Sequence, residues 1–299
     1  MRNYKKIAGI FVILLCFYFI GRMIYTNWSK VDFSTLHFIW YNLILSYIFW
    51  TVSLLYGSFI WWLMLRKVQT NIPYLSATSA LIYAGLSRFI PGKIWVILSR
   101  VYIIKKEGAS AEKGFITITY ETIMSLLAGI IISLISMTLS RKFDLPKIWF
   151  IIILVCGLLI MSHPKFLGNI LKFTFKKLKR KMPTYPFGYL DTLKFIVFYS
   201  VYWVLFSMGV WFLTKSLGIC KLSLLTILSA FPVSWVIGFL SIVTPGGLGV
   251  REGILAYLFS LHVQPALASI IAVLIRLWGV SGNLIAFLFF IKRLKKYIS

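Results

Sequence analysis

Long runs of apolar residues, separated by short polar or basic stretches, make up most of this chain. An α-helix needs about 20 mainly apolar residues to cross the hydrocarbon core of a bilayer. Six runs predict such spans: residues 7–25, 39–65, 115–139, 147–162, 194–214 and 265–291. The first run follows basic residues, as in a secretory signal. Because no small-residue cleavage site follows it, we expect it to be the first membrane span.

Two further apolar regions, 74–104 and 222–262, are interrupted by Pro-Gly sequences. The interruptions read SRFIPGK at 87–93 and TPGGLGVRE at 244–252. At about 1.5 Å per residue, either region would overshoot the bilayer as one straight helix. Each is therefore a broken crossing or a hairpin that enters and leaves on one side. Helix breaks at membrane depth persist only where they are buried in protein or line a polar cavity.

The positions of basic residues favour hairpins, because cytoplasmic loops carry an excess of Lys and Arg. With two hairpins and a cytoplasmic N-terminus, the cytoplasmic groups are Arg2/Lys5/Lys6, Arg66/Lys67, Lys105/Lys106/Lys113, the 165–181 run and Lys292/Arg293/Lys295/Lys296. The opposite side then receives fewer: Arg22/Lys30, Arg141/Lys142/Lys147 and Lys215/Lys221. This arrangement predicts cytoplasmic N- and C-termini in a multi-pass protein of the plasma membrane.

Each half of the chain, 1–143 and 144–299, then reads span, span, hairpin, span. Because each half has an odd number of full spans, the second half is inverted relative to the first. Glu121 lies 30 residues after Pro91, and Arg276 lies 31 residues after Pro245. We therefore predict a single all-α polytopic membrane domain over residues 1–299, with six full spans, two re-entrant hairpins and an inverted repeat.

Composition supports this class of protein. Hydrophobic residues make up 60% of the chain and charged residues only 13%, which excludes a soluble globular domain. The net charge of +25 does not indicate nucleic-acid binding, because the basic residues lie at the ends of apolar runs and no soluble module remains. Segment 164–188 is read as a basic cytoplasmic amphipathic stretch on anionic lipid; a docking site for a protein partner is the alternative.

The second interruption is the stronger candidate for a binding site. Arg251 and Glu252 occupy the first turn of a half-helix, where free N–H groups and the helix dipole favour a phosphate or carboxylate. Gly246, Gly247 and Gly249 would let a ligand approach the backbone closely. Glu252 can equally serve as a helix cap or a proton carrier.

In the first interruption, Arg88, Lys93 and Arg100 are the candidate cations. Lys93 begins the second half-helix, so it is the preferred ligand for an anionic headgroup. Arg100 lies seven residues further on the same face; it either joins Lys93 or extends to the membrane interface.

Two lone charges, Glu121 and Arg276, lie within predicted spans. An unpaired charge at this depth is costly, so each should have a partner. We expect Glu121 to pair with Lys93 or Arg88, and Arg276 to pair with Glu252. Such pairs can be purely structural or can couple transport to protons.

Nothing in the sequence predicts an enzyme. The three histidines are widely separated, so neither a metal site nor a nucleophile–histidine array is indicated, and no cofactor is expected. The seven acidic residues include no close pair of the kind that metal-dependent sugar transfer often uses. An integral-membrane glycosyltransferase is the least favoured alternative.

The two interruptions, RFIPGKIW at 88–95 and TPGGLGVREG at 244–253, resemble the lysylphosphatidylglycerol synthase transmembrane-region family, also called flippase-like domain proteins. The resemblance implies an inner-membrane protein that moves, or helps to process, a lipid with a charged or glycosylated headgroup. In bifunctional members this domain flips a lipid made by a soluble synthase domain. We expect a stand-alone member without synthase activity.

A lipid flippase is therefore the leading expectation. Its partners would be membrane lipids, either an anionic phospholipid or a polyprenyl-linked glycan, with a glycosyltransferase or synthase as the candidate protein partner. The alternative is a non-transporting accessory subunit of lipid-linked glycan assembly. Self-association is left open.

Overall fold

A computed structural model describes residues 18, 22, 25–26, 37–87, 94–140, 153, 157, 163–177, 182–183, 185–241, 247 and 249–298. Apart from isolated positions, the predicted spans 7–25 and 147–162 lie outside these residues. The same holds for residues 88–93, which form most of the first interruption, and for residues 242–246, which include the start of the second.

Within the described residues the chain forms nine α-helices and no strand. They are α1 (Trp40–Lys67), α2 (Tyr74–Ser87), α3 (Ile94–Lys106), α4 (Ala111–Leu139), α5 (Pro164–Lys177), α6 (Tyr189–Ser216), α7 (Leu224–Leu240), α8 (Val250–Ser260) and α9 (Pro265–Ile298). Four of them, α1, α4, α6 and α9, are long and apolar enough to cross a membrane. These four coincide with predicted spans. The remaining apolar helices are shorter: α2, α3 and α8 have 14, 13 and 11 residues, too few to cross a hydrocarbon core about 30 Å thick, and α7 has 17, at the lower limit.

Polar side chains mark where several helices begin. The Ser110 hydroxyl accepts a hydrogen bond from the backbone N–H of Lys113 at 3.3 Å at the start of α4. At the start of α6, the Asp191 carboxylate accepts from the backbone N–H of Gly188 at 2.8 Å. These contacts satisfy N–H groups that have no partner inside the helix. They fix the helix starts at the ends of the apolar runs.

Large apolar side chains cover the outside of the long helices, and small polar ones lie inside. Trp40 on α1 is 71% exposed and Phe289 on α9 is 84% exposed. By contrast, Ser46, Ser53 and Ser58 of α1 are buried, and each donates to a carbonyl oxygen three or four residues earlier in its own helix. Small residues that allow close helix packing beneath an apolar surface are typical of membrane proteins.

Helices α1 and α6 pack against each other in opposite directions. At one end, Lys67 Nζ lies 2.5 Å from Asp191 Oδ1. At the other end, the backbone N–H of Ile39 donates to the carbonyl oxygen of Ser216 at 2.8 Å. The end of α1 therefore meets the start of α6, and the start of α1 meets the end of α6.

Contacts of Tyr297, near the end of α9, show which helix ends lie together. Its hydroxyl is 3.1 Å from Ser76 Oγ in the first turns of α2 and 2.6 Å from Glu107 Oε1, just after α3. Lys113 Nζ donates to the carbonyl oxygen of Gln69 at 3.0 Å. This contact brings the start of α4 and the end of α1 to the same end of the molecule. We call this the basic end, because it carries Arg66, Lys67, Lys105, Lys106 and Lys113.

The α2–α3 pair therefore starts and finishes at the basic end. The α7–α8 pair starts and finishes at the opposite end, because α7 follows the end of α6 and α8 precedes the start of α9. Helix α4 begins at the basic end and α9 finishes there, so these two also run in opposite directions.

The helix contacts repeat between the halves when α1, α2, α3 and α4 are matched with α6, α7, α8 and α9. Helix α2 packs on α3 as α7 packs on α8, and α3 packs on α4 as α8 packs on α9. Across the halves, α2 contacts α9 and α7 contacts α4. The eight matched helices surround a space between the halves.

Candidate functional site

A cavity of about 300 Å³ lies between the two halves, and all eight matched helices contribute to its wall. Among the described residues, four charged side chains line it: Arg100, Glu121, Arg251 and Arg276. Much of the remaining wall is aromatic and comes from Trp50, Tyr199, Tyr202, Trp203, Phe206, Trp235 and Phe239. A concave space with apolar walls and a few convergent polar groups is typical of a ligand site.

The first charged pair joins α3 to α4. The Arg100 guanidinium forms a salt bridge with the Glu121 carboxylate, and both side chains are largely buried. The Arg100 guanidinium also lies over the ring of Trp61, 3.9 Å from its centroid. Stacking on an aromatic face and pairing with a carboxylate together fix the guanidinium plane.

Glu121 pairs with Arg100. The expected partners, Lys93 and Arg88, lie outside the described residues. Arg100 lies six residues before the end of α3, and Glu121 lies ten residues after the start of α4. These helices are joined by a short turn and pack against each other. The two side chains therefore meet deep in the protein, and Arg100 does not extend to the membrane interface.

The second pair joins α8 to α9 and is the one predicted from the sequence. Arg276 Nη1 lies 3.3 Å from Glu252 Oε1, with side-chain exposures of 11% and 3%. The other carboxylate oxygen, Oε2, accepts a hydrogen bond from the backbone N–H of Gly249 at 2.8 Å. Glu252 therefore caps the start of α8 as well as neutralising Arg276.

Arg251 is adjacent to Glu252 in the first turn of α8 but lines the cavity. Its guanidinium lies over the ring of Phe231, 5.1 Å from the centroid. Helix α7 approaches closely at this point, because a Cβ added to Gly238 would lie 2.9 Å from Arg251 Cβ. A glycine at 238 is thus needed for α8 to begin beside the last turns of α7.

The proposed role of Gly247 in ligand approach is not supported by its surroundings. A Cβ added to Gly247 would lie 2.5 Å from the carbonyl oxygen of Gly238, so the missing side chain is replaced by protein backbone. Gly249 differs, since nothing in the described residues lies within 4 Å of an added Cβ. Its φ of +82° explains the glycine there.

Three other predicted site residues, Arg88, Lys93 and Gly246, lie outside the described residues. The structure therefore brings together Arg251, Glu252 and Arg276 on one side of the cavity and Arg100 and Glu121 on the other. The structure also places Arg100 in the cavity wall, whereas the sequence left it undecided whether Arg100 binds a ligand or extends to the membrane interface.

The two ion pairs have opposite polarity in the matched halves. In the first half the short helix α3 supplies the arginine and the long helix α4 the carboxylate. In the second half the short helix α8 supplies the carboxylate and the long helix α9 the arginine. Each short helix is thus tied to the following long helix by one buried charge pair.

Sequence reasoning missed the aromatic wall. Trp203 of α6 donates its indole N–H to the carbonyl oxygen of Ser125 of α4 at 2.8 Å. A Cβ added to Gly129, one turn further along α4, would lie 3.1 Å from Trp203 Nε1. The glycine and tryptophan are separated by 74 residues, and no local pattern connects them.

Helix α5 carries part of the basic segment predicted at 164–188. Its apolar face packs on the protein: Leu167, Leu171 and Phe175 are buried, and the Phe175 ring lies 5.9 Å from that of Phe115. The opposite face is exposed and carries Lys165, Phe166, Lys172, Phe173 and Lys176. Only this second face is free to meet a lipid surface or a partner.

The long apolar helices and the buried charge pairs define an all-α membrane protein, with a cavity between the helices that charged and aromatic side chains line. Residues 6–286 match the family described as Lysylphosphatidylglycerol synthase TM region, and the chain belongs to this family. The resemblance seen at the two interruptions is thereby confirmed. The chain is also similar to the UPF0104 membrane protein MJ1078 of Methanocaldococcus jannaschii, with 28% identity over 202 residues, covering 59% of this chain and 79% of that protein.

Proposed function

We propose that this protein moves a lipid with an anionic or glycosylated headgroup across the plasma membrane. The observation that carries the proposal is the cavity between the halves, where three arginines and one carboxylate line the part of the wall that the structure describes. Charged groups at membrane depth are costly and mark substrate pathways. The headgroup would occupy this cavity while the acyl or prenyl chains stay in the lipid.

In this proposal the α2–α3 and α7–α8 pairs are re-entrant hairpins. Each pair starts and finishes at one end of the molecule, and α2, α3 and α8 have 14 residues or fewer, too few to cross alone. The basic end would face the cytoplasm, because cytoplasmic surfaces are enriched in Lys and Arg. The C-terminus, at the end of α9, lies there, and the N-terminus is proposed to lie on the same side.

Alternating exposure of the two hairpins would carry the headgroup from one side to the other. The hairpins open towards opposite ends of the molecule, and each is tied to the following long helix by an ion pair. Broken helices whose ends point at a site near the middle of the bilayer recur in transporters with inverted repeats. Rearrangement of one hairpin at a time would expose the cavity first to one side and then to the other.

The test is lipid translocation by the purified protein in liposomes of phosphatidylcholine. The liposomes contain a trace of phosphatidylglycerol that carries a fluorescent label on an acyl chain. Dithionite reduces this label in the outer leaflet only, so the fluorescence of the inner-leaflet half is protected. A loss of the protected fluorescence that depends on the protein reports movement of the lipid between the leaflets. We expect Arg251→Gln to lower the initial rate about ten- to hundredfold, because one charge-assisted hydrogen bond to the headgroup is lost.

The matched control is Lys67→Gln, which removes a cation from an exposed ion pair outside the cavity. It should leave the rate within about twofold of the unmodified protein, since exposed pairs contribute little. If Arg251→Gln and Lys67→Gln move lipid equally fast, the cavity is not the route. If no anionic lipid moves at all, the protein is not a flippase for this class.

The exposed face of α5 favours a second candidate function, an accessory subunit that presents a lipid-linked glycan to a glycosyltransferase. Basic and aromatic side chains alternate on that face, as at surfaces that meet anionic lipid or an acidic partner. Changing Lys165, Lys172 and Lys176 to Gln would then remove glycan product in cells while leaving translocation in liposomes unchanged. Equal glycan product in the variant would exclude this candidate.

A further inference from the structure

We propose that the phosphodiester of a lipid headgroup binds Arg100 in competition with Glu121. Of the two buried ion pairs, Arg100–Glu121 is then the one that opens to bind the ligand, and Arg276–Glu252 stays closed. This inference rests on the proposed function and names the recognised group: a lipid phosphate with a single negative charge.

The two ion pairs differ in how their carboxylates are held. The Glu252 carboxylate has two partners: it pairs with the Arg276 guanidinium, and it accepts a hydrogen bond from the backbone N–H of Gly249 at the start of α8. Glu121 lies in the middle of α4, where it caps nothing, and its salt bridge is to Arg100. Glu121 also lines the cavity. A ligand that enters the cavity therefore reaches Glu121 and can replace it at Arg100 without unwinding a helix.

Arg100 has unused hydrogen-bonding capacity. Its residue exposure is 6%, and within the described part of the chain its Nε has no hydrogen-bond partner. Buried donors without a partner are unfavourable, and a guanidinium binds a phosphate best through two parallel N–H groups. Trp61 already fixes the plane of this guanidinium. A phosphate oxygen would satisfy a donor that the carboxylate leaves open.

Cationic side chains at the cavity favour an anionic ligand. Among the described residues, three arginines (100, 251 and 276) line it. A phosphodiester offers two phosphate oxygens that one guanidinium can bind through parallel N–H groups. The cavity of about 300 Å³ also lies at the lower limit for ligand pockets, which fits a small headgroup.

The test measures equilibrium binding by quenching of tryptophan fluorescence, with purified full-length protein in a neutral detergent. The lipid probe is dioctanoyl phosphatidylglycerol, and the comparison probes are dioctanoyl phosphatidylcholine and inorganic phosphate. Glu121→Gln should bind the phosphatidylglycerol at least about tenfold more tightly, because the competing carboxylate is gone and Arg100 keeps its charge. Arg100→Gln should bind it at least about tenfold more weakly.

The matched control is Asp191→Asn, which removes a carboxylate from an exposed ion pair outside the cavity and should leave the affinity unchanged. A second readout guards against misfolding: the rise in melting temperature on adding lipid should be larger for Glu121→Gln than for the unmodified protein. Equal or weaker binding by Glu121→Gln, or binding by neither protein, overturns the proposal. Inorganic phosphate binding as tightly as the lipid overturns the assignment to a lipid.

These outcomes are distinguishable from failure of the proposed function. If lipid crosses liposomes but Glu121→Gln binds no more tightly, the competition is wrong and the flippase stands. If Glu121→Gln binds more tightly but the unmodified protein moves no lipid, the binding site stands and the transport proposal fails.

Discussion

Glu252→Ala is expected to lower the free energy of unfolding by about 3–5 kcal/mol, because it leaves the buried Arg276 guanidinium without a counter-charge. The same change removes the hydrogen bond from Gly249 that starts α8, a contact worth about 1 kcal/mol at other helix starts. The effect can be measured by thermal or denaturant unfolding of the purified protein in detergent.

Asp191→Ala is a matched control for this loss. Asp191 occupies the same position in α6 that Glu252 occupies in α8, accepts the backbone N–H of Gly188 in the same way, and pairs with Lys67. It differs in that its lysine partner is 40% exposed. We expect this variant to lose only about 1–2 kcal/mol. Equal losses from the two variants would show that the buried pair adds nothing to stability.

Arg100→Glu is expected to prevent folding, because it places two buried carboxylates side by side at Glu121. The double variant Arg100→Glu with Glu121→Arg should restore most of the folded protein, since it gives the first half the charge arrangement already present in the second. Size-exclusion chromatography and melting temperature of the single and double variants measure both effects. If the double variant is as unstable as the single one, the pair does not act through its charges.

The long helices could be predicted from the sequence because hydrocarbon imposes a length and a composition on each span. Runs 39–65, 115–139, 194–214 and 265–291 coincide with α1, α4, α6 and α9. The positions of Lys and Arg also predicted which loops gather at one end. Lys67, Lys105 and Lys113 lie at the basic end, where the contacts of Tyr297 and Gln69 place the adjoining helix ends.

The partners of buried charges were only half predictable. Glu252 and Arg276 were matched correctly, whereas Glu121 was assigned to cations closer to the interruption. Arg100 of α3 and Glu121 of α4 meet inside the protein. Distance from the turn between these helices does not select Arg100, because Arg100 lies six residues before the end of α3 and Glu121 ten residues after the start of α4. The packing of the two helices decides the partner, and the sequence alone does not show that packing.

The glycines within the second interruption show a different limit. Gly247 and Gly249 stand two positions apart and both have positive φ. Only the structure shows that the backbone of Gly238 occupies the space where a side chain of residue 247 would lie. In the part of the chain described, the corresponding space beside Gly249 is empty. A tertiary neighbour decides between a packing role and a ligand-binding role, and sequence spacing carries no information about that neighbour.

Photo-crosslinking of a headgroup-labelled lipid is the most direct test of the central claim that the headgroup enters the cavity between the halves. A phosphatidylglycerol analogue with a diazirine on its glycerol headgroup is activated in the reconstituted protein, and the modified residues are mapped by mass spectrometry. If the headgroup enters the cavity, we expect crosslinks to wall residues such as Ile97, Trp235 and Val280. Crosslinks confined to lipid-facing residues such as Leu288 and Phe289 on the outside of α9 would contradict it.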